Sequence, residues 1–222
     1  DHNVSVNGGN EKTQYNMAIG YFNQGGTIEG MDFTKITVRL NLDQHISKRI
    51  KVGMSTNLTH SINNDNTGSA LSEAVPQSPL GDPYEADGVT PKFLPIGDGI
   101  RSNPLSELVE GKRVNQIKTD RIFSSAYLEA EIIPGLKYKL LGGVDLSYIT
   151  RGDFQGTFTN NVKNGAPRAT YQNESNLGYT VENLLTYNKS FGDHVLGLTG
   201  LFSIQENKYE VHYASVQGLP YE

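Results

Sequence analysis

Glu129 and Glu131 come nearest to a catalytic arrangement in this 222-residue sequence. Two carboxylates on alternate positions of an extended segment share one face at about 6–7 Å, a separation that retaining glycosidases approach. The same spacing arises on any polar strand face, so the pair reads as part of a hydrated wall. His2, His45, His60, His194 and His212 never recur at metal-binding intervals. Asp82, Glu85 and Asp87 precede Gly88 as in a calcium loop, but Pro83 and Tyr84 break the alternation such a loop needs and leave a turn. The sequence also lacks the nucleophile-elbow and phosphate-cradling glycine motifs. No catalytic residue, metal ligand or cofactor is expected, and the chain does not read as an enzyme.

Composition narrows the classes further. Without cysteine there is no disulfide framework, thiol nucleophile or Cys-ligated metal. The net charge of −5, from 19 basic and 24 acidic residues scattered along the chain, offers no phosphate-tracking stripe, so no nucleic-acid partner is expected. Only 36% of residues are hydrophobic, while Gly (24) and Tyr (12) are abundant and Trp is absent, a balance that favours strands with polar loops. No run of about 18 apolar residues could form a membrane helix, whereas membrane strands need only ~9–11 alternating residues. The N-terminal Asp1-His2-Asn3-Val4 has neither an initiator Met nor a signal-peptide pattern, and the sequence reads as an excerpt of a longer chain.

Period-two alternation is the main structural signal. Ile36, Val38, Leu40 and Leu42 interleave with Thr37, Arg39, Asn41 and Asp43, and Ile50, Val52, Met54 and Leu58 repeat the pattern. Ile122 to Ile132 turns at Pro134-Gly135 and returns through Leu136, Tyr138, Leu140, Val144, Leu146 and Tyr148. A further hairpin pairs Tyr179 to Tyr187 with Leu196 to Ile204, and the first runs from Asn3 to Asn23. The pattern predicts eight strands of roughly 10 to 14 residues in four hairpins, with no amphipathic helix of useful length. The last residues are expected to be irregular.

Short turns alternate with longer connections at 24–31, 63–118 and 150–173, which places tight turns at one rim and elaborate loops at the other, as in outer-membrane barrels. The polar side of the strands carries Arg39, Glu129, Glu131, Lys137, Lys139, Asp145 and Glu182, predicted to face a lumen, while Leu, Ile, Val, Ala and Tyr fill the other side. Tyr15, Tyr21, Phe22, Phe33, Tyr138, Tyr148, Tyr179 and Tyr187 sit near strand ends, where amphipathic rings suit lipid headgroups. Segment 63–118 is the main candidate ligand region. It is proline-rich, and Asp82, Tyr84, Asp87, Phe93 and Asn103 supply the rings and polar groups that suit sugar stacking and hydroxyl bonding.

The wording of these segments resembles the SusC/RagA family of TonB-dependent outer-membrane transporters. The resemblance rests on NVSVNGGNEKT at 3–13, IGYFNQGG at 19–26, RLNLD at 39–43 before IKVG at 50–53, and DPYEADG at 82–88. It continues through NPL at 103–105, AYLE at 126–129, PGL at 134–136 and YTVENLLTY at 179–187. It implies an all-β fold, an antiparallel up-and-down meander of about eight long strands within a larger transmembrane barrel of 22 strands. Residues 1–222 would then be a partial barrel domain without the plug, with 63–118 and 150–173 as extracellular loops. It further implies import of oligosaccharides or peptides across the outer membrane of a Gram-negative, Bacteroidetes-like bacterium, a SusD-like surface lipoprotein as partner, outer-membrane lipid around the wall, and TonB acting through the plug. Two other architectures fit the periodicity. One is a self-contained eight-stranded outer-membrane barrel, in which the strands at Val4 and Ile204 pair; the other is a soluble carbohydrate-binding β-sandwich, whose apolar faces meet internally.

Overall fold

Apolar and polar residues that alternate along an extended chain sort onto opposite faces of a pleated ribbon, and the computed structural model joins four such ribbons into one sheet. The structure describes residues 1–163 and 165–220. Its strands are β1 (His2–Gly9), β2 (Thr13–Gly25), β3 (Met31–His45), β4 (Ile50–Asp65), β5 (Arg113–Ile133), β6 (Leu136–Gln155), β7 (Arg168–Phe191) and β8 (His194–Gln217). They lie side by side in chain order and every pairing is antiparallel.

β1 and β8 each have a single neighbour, so the sheet is an open arc among the described residues. The strands at Val4 and Ile204 therefore do not pair, which argues against a closed eight-stranded barrel. Among the described residues no second sheet covers the apolar face, which argues against a sandwich as well. Ala70, in a loop helix, is the one buried hydrophobic residue among those described, while Ile19, Leu198 and Phe202 are 58%, 56% and 61% exposed.

Connections at 10–12, 46–49, 134–135 and 192–193 form one rim; those at 26–30, 66–112 and 156–167 form the other. The strands run further toward the second rim than the sequence pattern predicts. β5 to β8 have 20 to 24 residues, and β8 extends to Gln217 through a stretch expected to be irregular. On β5 and β7 alternation fades there because both faces are largely polar, and on β8 it inverts, with Tyr209, Val211 and Tyr213 opposite Lys208, Glu210 and His212, whereas the backbone ladder continues regardless of side-chain type. The rim loop 66–112 contains two short helices, α1 (Ala70–Ala74) and α2 (Pro104–Glu107).

The apolar face crosses the sheet diagonally. The ladder row through Tyr15 passes Leu42, Met54, Ala126, Gly142 and Val181 to reach Ile204. On β2 that row is the end of the apolar run nearest the short turns, but on β8 the run continues from Ile204 down to Leu196. A slip of about one residue per strand, set against a strand spacing of ~4.8 Å, corresponds to a tilt of roughly 35–40° from the band's normal. On β6 the band runs from Leu136 to Tyr148, which at that tilt is ~30 Å of height, close to the thickness of a bilayer core. Above it the same face turns polar, first at the pair of His60 Nδ1 and Asp120 Oδ1, 2.6 Å apart.

Candidate functional site

Cross-strand partners in a sheet share a face, so the register decides which side chains can act together. All seven residues read as lumen-facing lie on one face. The row through Arg39 continues to Asn57, Phe123 and Asp145; Glu129 lies opposite Lys139, Glu131 opposite Lys137, and Glu182 opposite Leu141. The next row toward the short turns reads Asn7, Asn16, Asn41, Ser55, Ser125, Gly143, Thr180 and Gln205, a belt of amides and hydroxyls broken once, by glycine. Within it Ser55 Oγ donates to Asn41 Oδ1 at 2.7 Å. Such a belt gains little by meeting lipid and much by meeting water or polar solute.

Nearer the short turns the polar face carries a connected charge cluster. Tyr127 Oη donates to Asp43 Oδ1 at 2.5 Å, reaching across β4 to do so. Gly53 makes that reach possible, because a Cβ there would stand 2.2 Å from the Tyr127 ring and 2.5 Å from Asp43. Lys51 approaches Asp43 at 3.6 Å, Lys139 lies 4.5 Å from the centroid of the Tyr127 ring, and Lys137 approaches Glu129 at 3.7 Å. Toward the other rim, Arg121 grips Asp145 with two bonds of 2.8 and 2.5 Å. Arg151 binds Glu174 at 2.6 Å, and Tyr209 Oη donates to the other oxygen of Glu174 at 3.1 Å.

Two aromatic residues change sides relative to the sequence reading. Tyr15, Tyr21, Tyr138, Tyr148, Tyr179 and Tyr187 share the apolar face, but Phe22 and Phe33 belong to the polar one, since Phe22 pairs with Lys35 and Phe33 is two residues from it. Their rings meet at 6.0 Å between centroids. Position near a strand end suggested a headgroup role; counting parity from Arg39 for Phe33, and from Met17, Ile19 and Tyr21 for Phe22, would have placed both rings correctly.

The five candidate ligand residues of the long loop are brought into one small ribbon without forming one binding surface. Lys92 N donates to Pro83 O and Glu85 N to Thr90 O, which folds 83–92 back on itself. Asp82 Oδ1 accepts from Tyr84 N, and Tyr84 bridges to Pro91. Asp87 accepts from the Thr90 hydroxyl and from the amides of Val89 and Thr90. Those bonds, the Thr90 hydroxyl first, hold its carboxyl below the ordinary aspartate range. Phe93 packs edge-on against Phe158 at 5.7 Å and is the one of the five that lines a cavity of about 350 Å³ between the two long loops.

Asn103 is 2% exposed and wholly engaged. Its Nδ2 donates to Pro83 O and Lys92 O, and its Oδ1 accepts from Leu105 N to cap α2. It holds the ribbon in place, so its candidacy passes from ligand contact to loop architecture. Asn103→Ala is expected to cost about 2 kcal/mol of local stability by stranding those carbonyls, visible as faster amide exchange across 83–105.

The sequence reading missed Glu107, 1% exposed, whose Oε1 accepts from Asn160 N at 2.5 Å and thereby ties the two long loops together. Asn160 Nδ2 also donates to Ser69 Oγ and Glu73 Oε1. A buried glutamate in a short helix has no periodic signature. Among the described residues no group of three or more His, Cys, Asp or Glu could hold a metal ion.

No family profile matches the sequence. The chain is 29% identical over 224 residues to TonB-dependent receptor P3 of Formosa agariphila, covering 96% of this chain and 22% of that one. It is also 29% identical over 217 residues to TonB-dependent receptor P39 of the same organism, covering 94% and 20%. Among solved structures, the RagAB peptide importer in its "open-open" state matches with a TM-score of 0.72 at 20% identity, over 97% of this chain and 25% of that one. Its "closed-closed" state gives 0.71 at 19%. The chain thus spans about a fifth to a quarter of the proteins it matches, and the structural likeness is one of barrel fold.

Proposed function

We infer that the chain belongs to the SusC/RagA family of TonB-dependent receptors and serves as a section of the wall of an outer-membrane nutrient importer, a reading supported by its 29% identity to two TonB-dependent receptors. The observation that carries this reading is the two-faced sheet. A tilted, ~30 Å apolar band is left bare on one side, and a polar face with its charges largely paired lies on the other. In this reading the band meets lipid, and Arg39, Glu129, Glu131, Lys137, Lys139, Asp145 and Glu182 line a hydrated lumen. The edges of β1 and β8 continue the ladder into further strands. The short-turn rim faces the periplasm, and loops 66–112 and 156–167 face outward.

An oligosaccharide or peptide is the proposed cargo, a SusD-like surface lipoprotein the proposed outer partner, and TonB, acting through a plug, the proposed source of energy. The outer membrane of a Gram-negative, Bacteroidetes-like bacterium is the proposed location. The test is fractionation of the source cells with an antibody against loop 66–112, followed by uptake assays in cells lacking the gene. Recovery from the outer membrane with a co-purifying lipoprotein, and loss of uptake of one oligosaccharide or peptide class on deletion, is the expected result. Recovery in the soluble fraction would overturn the reading.

A further inference from the structure

Lys35 and Arg39 stand apart from the other lysines and arginines of the polar face. Lys51, Arg113, Arg121, Lys137 and Arg151 each lie within 3.7 Å of a carboxylate. Arg168 is held by Gln155, and Lys139 lies over the Tyr127 ring. Lys35 and Arg39 make no hydrogen bond or ion pair among the described residues, and both are exposed. They sit two register rows apart on β3 and help line a concavity of about 400 Å³ with Phe22, Phe33 and Thr37, Asp1 also contributing. The Phe22 and Phe33 rings, tilted 57° to each other, form its apolar wall. The other cations of this face are engaged by a carboxylate, an amide or a ring; here two are left beside an aromatic surface. A carboxylate attached to a ring or an apolar body matches both halves of the site, by ion pairing with the two cations and by packing on the two rings.

We propose that Phe22, Phe33, Lys35 and Arg39 form an anion-selective subsite for cargo bearing a carboxylate beside an apolar or ring surface. The proposal rests on the importer reading and narrows its cargo to acidic ligands, whether uronate-containing oligosaccharides or acidic peptides. The test uses the full-length receptor, purified in detergent, and two matched probe pairs: tetragalacturonate with its methyl ester, and an acidic phenylalanine-containing pentapeptide with its Gln/Asn counterpart. The charged member of one pair should bind on the order of tenfold more tightly than its neutral partner, the pair identifying the source of the carboxylate. That ratio should collapse toward one in K35Q/R39Q and persist in K35R/R39K, with gel mobility before and after heating confirming that both variants are folded. The proposal is overturned if neither pair shows a preference, if none of the four probes binds, if the ratio survives in K35Q/R39Q, or if both members of a pair weaken equally there, as they would if the cations held another part of the receptor. Uptake in the deletion strain reads the importer function separately, so an importer indifferent to charge would leave that reading standing and remove this one.

Discussion

Leu40→Arg should destabilise the folded receptor by about 2–4 kcal/mol, and Arg39→Leu by much less. The two residues are neighbours on β3, so they share strand, depth and backbone environment and differ in the face they present. Leu40 lies within the apolar run Ile36, Val38, Leu40 and Leu42, in a row with Met17 and Thr56. Arg39 lies in a row with Ala18 and Asn57 on the opposite face. Arginine at position 40 would carry its charge into hydrocarbon, whereas leucine at 39 removes a cation that has no protein partner. Denaturant titration of the full-length protein in phospholipid vesicles measures both. Equal tolerance of the two changes would defeat the assignment of faces.

Glu107→Ala should unlatch the outer loops at a cost of about 2–3 kcal/mol. Its Oε1 accepts from Asn160 N at 2.5 Å and from Ser69 Oγ at 3.4 Å, and truncation leaves that amide buried without a partner. Its other oxygen faces the Gly68 backbone from the same side as the Arg113 guanidinium. A Cβ on Gly68, whose φ is +54°, would lie 2.6 Å from Glu107 Oε2 and 2.8 Å from Arg113 Nε. Arg113, whose side chain is 8% exposed, pairs with Asp153 at 3.1 Å, a contact the truncation leaves in place. Limited proteolysis should cut loops 66–112 and 156–167 more readily in the variant while strand protection is unchanged. Glu107→Gln, which keeps the acceptor oxygen, should fall between variant and native protein.

How far the sequence could be read depended on whether a residue's role was written into periodicity. From Ile36 to Asp43, and again from Leu136 to Tyr148, one apolar face against one polar face dictates both strand and sidedness, and the seven residues assigned together do share a face. Between Glu206 and Gln217 the alternation inverts, with Tyr209, Val211 and Tyr213 on the polar face and Lys208, Glu210 and His212 on the other, so the face pattern that marked the earlier part of the strand no longer runs on. Phe22 and Phe33 were legible by parity but were sorted by their nearness to strand ends. Asn103 and Glu107 were opaque for another reason: their partners, Pro83, Lys92 and Asn160, are chosen by the path of a long loop, which no local pattern encodes.

The two unlike rims also set an order of assembly. Each hairpin closes at the short-turn rim over a few residues, as at Pro134-Gly135 or Gly192-Asp193, so its two strands find each other through contacts local in sequence. Joining β4 to β5 instead means closing segment 66–112, which costs about 2 kcal/mol more in chain entropy than closing a four-residue turn. Ribbons should therefore form first and zip to one another afterwards, with the β4 to β5 seam the slowest. Glu107 and Asn160 lie just beyond Arg113 and Gln155, the end pair of the β5–β6 ribbon, so their bond can form within that ribbon, whereas the bonds from Asn160 to Ser69 and Glu73 must wait for the β4 to β5 seam and complete the latch late in maturation.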